Sequence, residues 1–261
     1  MLNNTILALL DRDEFPEAYH YLENDLDNTP FEIATMLMES DRPKPFPKFL
    51  VTYILELYEA EIEKGNINAM NDLGACYYNG DRGFDQDFSL AVHYYTMAAE
   101  HGDIHSRENL GYCYYYGRNM EVDYEKAFHC FAPGAFSGRP ASLYKIGDMY
   151  LNGYFVRKNV RDAFRIYRHC LDLLDDDSSR YVAGPVHLRL GNMYLKGIGT
   201  DRDPERALQH FHAAEYFLYK MVKYGDVMYK KSLREAIEGQ AIARAAMADN
   251  LPDNEWTFDD Y

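Results

Sequence analysis

Apolar residues recur along the centre of the chain with two periods at once. Within a segment they fall three or four residues apart, the spacing of one buried helix face. Across segments one short pattern returns four times: LGACYYNG at 73–80, LGYCYYYG at 110–117, IGDMYLNG at 146–153 and LGNMYLKG at 190–197. Its first glycines are Gly74, Gly111, Gly147 and Gly191, so the copies begin 37, 36 and 44 residues apart. Tyr77, Tyr114, Tyr150 and Tyr194 keep those intervals, as do the second glycines Gly80, Gly117, Gly153 and Gly197. An alanine follows each first glycine by 16 or 17 residues (Ala91, Ala127, Ala163, Ala207), and an aromatic stands four residues later (Tyr95, Phe131, Tyr167, Phe211). A fixed internal period of this length marks stacked copies of one supersecondary unit.

Each copy reads as helix, glycine turn, helix. Four residues before the repeat alanines stand Asp87, Asp123, Asn159 and Asp203, whose side chains can accept from the unpaired N–H groups of a helix start. Pro204 follows Asp203 at the first helical position, where proline fits. Gly80 and its equivalents sit just past the first helix, where the chain needs positive φ. Gly74 and its equivalents lie inside that helix, where glycine costs about 1 kcal/mol relative to alanine. Bearing that cost four times at one register predicts a neighbouring helix too close to admit a Cβ. Small residues close the first two copies, Ala98–Ala99 with Gly102 and Gly134–Ala135 with Gly138. A phosphate loop would place its glycines ahead of a helix with Lys and Ser/Thr following, and no copy does so.

The pattern LGxxYxxG, a capping Asp, an Ala with an aromatic four residues on, then AAxxG resembles the Sel-one-like repeat, a relative of the tetratricopeptide repeat. LGNMYLKGIGTDRDPERALQHFHAAE, in the fourth copy, fits it best. The resemblance covers about residues 68–216, with a degenerate half-repeat, YILELYEAEIEKGNINA, before it. Copy three departs: Cys170 and Leu171 replace the small pair and no closing glycine follows. The resemblance implies an all-α chain, a right-handed α–α superhelix of about four repeats (68–104, 105–139, 140–183, 184–224) that binds protein segments and carries no catalysis.

The flanks read as caps, since a solenoid needs its ends closed. Residues 1–67 hold ILALLDRDEFPEAYHYLENDL, one or two helices broken near Pro16, then a helix capped by Thr29 and opened by Pro30. A proline-rich linker (41–48) and a helix from Phe49 to Lys64 lead into the repeats. Residues 225–250 read as one long capping helix, and 251–261 as an acidic tail holding the only tryptophan.

Charge and chemistry narrow the function. Forty-two Asp and Glu against 27 Lys and Arg give a net charge of −15, which disfavours nucleic acid and anionic membranes and favours a partner with a basic face. No apolar run approaches a membrane span, and the N-terminus lacks the basic region of a secretory signal, so a bacterial-type cytoplasm is expected. Cys76, Cys113, Cys130 and Cys170 form no CxxC pair, and Cys76 and Cys113 share a core register. His101 and His105 straddle a helix junction, His210 and His212 fall on different faces, and His93 and His129 share a solvated register; none reads as a metal site. Asp175–Asp177 lack the spacing of a calcium loop. No catalytic motif appears, and no cofactor or metal is expected.

What remains is a stripe on each first helix, at positions two before, one after and five after the first glycine. It reads Asp72, Ala75, Asn79; Asn109, Tyr112, Tyr116; Lys145, Asp148, Asn152; Arg189, Asn192, Lys196. In tetratricopeptide-like solenoids first helices line the concave face, so this stripe is the expected partner groove, with Tyr112 and Tyr116 as anchors. The expected role is a scaffold or adaptor for a protein or peptide, as a favoured monomer. The alternative is an immunity-type inhibitor of a basic toxin or nuclease, which the acidic charge would steer towards its target.

Overall fold

The computed structural model describes residues 4–25, 27–40, 45–174 and 179–248. The expectations about the first half of the proline-rich linker (41–44), about Asp175–Asp177 and about the acidic tail lie outside the described residues. Thirteen α-helices and one short 3₁₀ turn follow one another, with no strand among the described residues. The chain forms two compact units, residues 1–123 and 124–261, and the division falls inside the second sequence repeat, between its two helices.

In unit 1, α1 (Asn4–Asp11) packs on α2 (Phe15–Glu23), and α3 (Pro30–Met38) on α4 (Lys48–Glu63). Then come α5 (Ile67–Asn79), α6 (Phe88–Glu100) and α7 (Ile104–Tyr116), each against its predecessor. The break expected near Pro16 falls between α1 and α2, and Pro16 stands in the first turn of α2, where its missing N–H is harmless. Thr29 caps α3 in a reciprocal box with Glu32: the Glu32 N–H donates to Thr29 Oγ1 at 3.2 Å and the Thr29 N–H to Glu32 Oε2 at 2.7 Å. The core runs from Ile6 and Leu10 through Leu37, Ile54 and Tyr58 to Leu73 and Phe84.

Unit 2 holds α8 (Tyr124–Phe136), α9 (Pro140–Asn152), α10 (Val160–Asp172), α11 (Ser179–Lys196), α12 (Pro204–Lys223), the turn Val227–Tyr229 and α13 (Lys230–Ala248). Consecutive helices pack as hairpins, and the first helices also touch one another, α9 with α11 and α11 with α13. Its core gathers Tyr167, Leu188, Leu190, Phe211, Leu218 and Ala243.

The repeat grammar is visible atom by atom. Gly80, Gly117, Gly153 and Gly197 have φ of 63°, 65°, 79° and 67°, the left-handed cap that ends each first helix. Asp87 Oδ1 accepts from the N–H groups of Ser89 (2.8 Å) and Leu90 (3.0 Å), Asn159 Oδ1 from Arg161 and Asp162 (3.2 Å each), and Asp203 Oδ1 from Arg206 (2.9 Å). Asp123 directly precedes α8. The N–H of each capping residue also donates back to the carbonyl of the repeat tyrosine: Asp87 to Tyr77, Asp123 to Tyr114, Asn159 to Tyr150 and Asp203 to Tyr194, at 2.9–3.0 Å. That bond fixes the entry of the second helix against the exit of the first.

The helical glycines have a more specific cause than close helix axes. A Cβ at Gly74 would stand 2.8 Å from Tyr95 Cδ1, one at Gly147 2.6 Å from Tyr167 Cε1, and one at Gly191 2.8 Å from Phe211 Cδ1. The repeat aromatic of the second helix lies flat on the glycine of the first. Gly239 of α13 meets Phe211 as well, with Cε1 2.6 Å from its Cβ position. α13 thus copies the glycine contact of a first helix without copying its sequence motif.

Candidate functional site

The expected groove residues separate into two populations. Asn79, Tyr116, Asn152 and Lys196 are exposed, and Asp72, Asn109, Tyr112, Arg189 and Asn192 are half-buried. Lys145 and Asp148, expected on the groove surface, are each only 2% exposed, and this corrects their placement. Their burial follows from a polar network that joins α9 to α10 and α11.

Asp148 is the centre of that network. Its Oδ1 accepts from the Tyr167 hydroxyl at 2.6 Å and from Arg189 Nε at 3.1 Å, and Lys145 Nζ stands 3.6 Å from Oδ2. Arg189 Nη2 donates to the Tyr144 hydroxyl at 3.2 Å, and Lys145 Nζ lies 4.4 Å from the centre of the Tyr144 ring. Buried charge survives only where it is paired and hydrogen-bonded, and here one carboxylate faces two cations. Burial pushes the Tyr167 hydroxyl far up, with the Asp148 charge adding to it, so Tyr167 stays a neutral donor. The sequence reading placed Asp148 and Arg189 on one stripe but missed Tyr144 and Tyr167 as their partners. Tyr167 was already spent as the ring that covers Gly147, and the hydroxyl of that same ring serves the network.

Unit 1 uses a smaller version at the same register. The Asn71 side chain accepts from Ser106 Oγ (2.9 Å) and Asn109 Nδ2 (3.1 Å) and donates to Asp72 Oδ1 (3.1 Å), which ties α5 to α7. Asn71 and Ser106 lay outside the expected site. Their signal in the sequence is a polar residue next to the repeat's apolar position, where a core residue would otherwise stand. Next to this junction Tyr112 and Tyr116 stack in parallel, ring centres 6.3 Å apart at 7°, and Tyr116 is 48% exposed. The Arg118 guanidinium stands 5.8 Å from the Tyr116 ring centre and 5.0 Å from that of Phe88.

The cysteines and one histidine pair are the remaining groups with nucleophilic or acid–base chemistry that lie in or against the cores. None of the four cysteines is in a disulfide; burial pushes the Cys76 thiol well up and that of Cys170 up to about 12, which keeps both protonated at neutral pH. His187 and His210, from α11 and α12, meet Nδ1 to Nδ1 at 2.9 Å, with His187 stacked on Phe217 and His210 on Tyr194. One ring must donate and the other accept, so two neutral rings here hold complementary tautomers. Burial holds both down at about 4, helped for His210 by Arg168 and Arg206. Histidines 23 residues apart on different helices gave no sequence signal of pairing. Among the described residues no helix is long and apolar enough to cross a membrane.

Comparison with known proteins agrees with this geometry. A model of the Sel1 repeat matches residues 67–103, 105–135, 140–168 and 186–215. The ERAD-associated E3 ubiquitin-protein ligase component HRD3B of Arabidopsis thaliana is 34% identical over 111 residues, 41% of this chain and 17% of that protein. The chitin synthase regulator SKT5 of Saccharomyces cerevisiae is 32% identical over 140 residues, 53% of this chain and 20% of that protein. The chain therefore spans about a fifth or less of the length of these two relatives. Among solved structures, a Sel1 repeat protein from Oxalobacter formigenes superposes with a TM-score of 0.59 at 24% identity, over 92% of this chain and 97% of that one, a likeness of fold.

Proposed function

The chain belongs to the Sel1 repeat family, and from that premise we propose that it is a non-catalytic scaffold that holds a protein or peptide segment. The segment lies on the solvent-facing part of the first-helix stripe of unit 1, with Tyr112 and Tyr116 as its anchors and Asn79 and Asn109 as flanking contacts; in unit 2 the same stripe positions are Asn152, Arg189, Asn192 and Lys196. In this reading residues 1–67 and 225–250 close the ends of the repeat region 68–224, and four cysteines outside any disulfide suit a reducing cytoplasm.

The observation that carries the reading is the Tyr112–Tyr116 stack. A parallel pair with one ring half exposed offers rigid amphipathic area, the kind of surface that anchors interfaces at low entropy cost. The buried polar clusters support the same reading from the other side. Asp148, Lys145 and Tyr167 are engaged with one another, and the histidine pair is neutral and enclosed, so their chemistry is spent on holding repeats together.

Affinity capture from a lysate of the source organism, with Tyr112→Ala/Tyr116→Ala as parallel bait, tests it. A partner held by the wild-type chain should be lost by the double variant while the helical circular dichroism is unchanged. Equal retention by both baits would refute the stripe.

A further inference from the structure

The net charge of the chain is divided unevenly. Residues 1–123 carry 23 Asp and Glu against 8 Lys and Arg, which is the whole of the −15. Residues 124–248 carry 14 against 19, and residues 249–261 carry five acids and no base. The helices of unit 2 are therefore basic, and the segment that follows them is acidic.

Part of the basic surplus stands beside an exposed ring at the turn between α9 and α10. Arg157, Lys158 and Arg161 are exposed and make no ion pair among the described residues; Asp162, the carboxylate next to them in sequence, is engaged by Asn159 and Arg165. Phe155 precedes them, 50% exposed, with its ring centre 5.5 Å from that of Phe128 on α8. Its backbone is strained. Phe155 has φ of 62°, and the Val156 N–H donates to the Tyr154 carbonyl at 2.7 Å across it, the rare γ-turn of positive central φ. The same position, two residues after the cap glycine, has positive φ in every repeat, but the other copies place Arg82, Asn119 and Gly199 there. Only the third copy gives it an aromatic ring. Strain that holds a ring in water rather than in a core is a mark of a binding surface.

The acidic segment has the composition and the reach of an occupant. DNLPDNEWTFDDY (249–261) sets Trp256 and Phe258 among Asp253, Glu255, Asp259 and Asp260, complementary to a basic and aromatic face. α13 carries it to the right edge of the unit. Gln240 of α13 meets Glu215 of α12 and Arg244 meets His212, so α13 runs antiparallel to α12 and ends beside the start of α12. The loop before α12 packs on the start of α10: the backbone of Gly199 lies against the carbonyl of Val160, just past the Phe155 turn. α9 touches α11 and α11 touches α13, so two helix spacings of about 8–10 Å each separate the end of α13 from that turn. Residues 249–255 extend to about 25 Å, enough for Trp256 to reach Phe155.

We propose that residues 251–261 dock on this face of their own chain, with Trp256 on Phe155 and Phe128 and the acids on Arg157, Lys158 and Arg161. An acidic segment from outside then reaches the face only by displacing the tail.

Trp256 is the only tryptophan, so its fluorescence in the full chain reads the docking directly. Its emission should lie to the blue of that of a synthetic 249–261 peptide and be less quenched by acrylamide. Arg157→Glu/Lys158→Glu should shift it to the peptide's position, and adding Asp259→Arg/Asp260→Arg should restore it. Phe155→Gly, which suits the φ of the turn, should give the same red shift; a ring with only a structural role would leave Trp256 unmoved. Lys223→Glu/Lys230→Glu, at the opposite edge where α12 ends and α13 begins, should change nothing. Emission of the full chain equal to that of the peptide would overturn the docking. A shielded Trp256 indifferent to the Arg157, Lys158 and Phe155 variants would overturn the face. A blue shift lost on dilution would mean that the tail seats on a second copy, and would overturn docking within the chain. The tyrosine stripe belongs to unit 1 and is read by capture, so that reading and this one fail separately.

Discussion

Gly191→Ala sets two physical arguments against each other. On helix propensity alone the change stabilises by about 1 kcal/mol, since glycine is the poorest helix former after proline. Packing predicts the opposite sign. The new Cβ would stand 2.8 Å from Cδ1 and Cε1 of Phe211, whereas carbon contacts settle near 3.5–4.0 Å, so the ring must retreat by roughly 1 Å. It has no room to do so: Phe211 is fully buried, and Gly239 also packs on the ring, where an added Cβ would stand 2.6 Å from Cε1. Overpacking of a well-filled core costs about 1–3 kcal/mol, and a ring held by two backbones belongs at the upper end. Net of propensity, the loss is about 1–2 kcal/mol, or about 2–8 °C in Tm for a chain of this size. Urea denaturation followed by far-UV circular dichroism measures it, fitted for two transitions because two compact units need not unfold together. The cycle with Phe211→Leu isolates the cause. Without the ring, Gly191→Ala should become neutral or stabilising, a coupling of at least about 1 kcal/mol. A stabilised Gly191→Ala, or additive effects in the cycle, would refute the ring-on-glycine account of the repeat.

Two further outcomes follow from the buried polar groups. Asp148→Ala strands Lys145 and Arg189 without their shared carboxylate and should cost about 3–5 kcal/mol, measured in the same denaturation assay; a change near zero would mean the network is solvated. The histidine pair makes stability depend on pH. Both folded rings sit at about 4, below the ordinary 6.5, so between those values the unfolded chain binds more protons and stability falls as pH drops. The loss should approach 3 kcal/mol per ring at most, and His187→Phe/His210→Leu should flatten the profile between pH 6.5 and 4. An unchanged slope would place the titration elsewhere.

The two units were not legible in the sequence. The repeat period runs evenly through residue 123, but compactness depends on how densely each helix meets its neighbours, which no period encodes. Nor was the sorting of the stripe: Lys145 and Asn152 share a face and a spacing, yet one is buried and the other exposed. The difference arises because Arg189, 41 residues beyond Asp148, reaches back over α9 to close a network there.

By itself the sequence determined whatever depends on short range and recurs. A glycine that must adopt positive φ, an Asp or Asn that caps the next helix, and an aromatic four residues past an alanine are local demands, and repetition at intervals of 37, 36 and 44 residues makes each copy testify for the others. Helix order, turn geometry and family follow from them. Tertiary structure decided what depends on long-range pairing. It set which polar residues are consumed in holding helices together, why Phe211 needs two glycines, and how His187 comes to face His210. Those pairings are fixed by the relative placement of helices tens of residues apart, and a one-dimensional pattern carries the period of that placement but not its contacts.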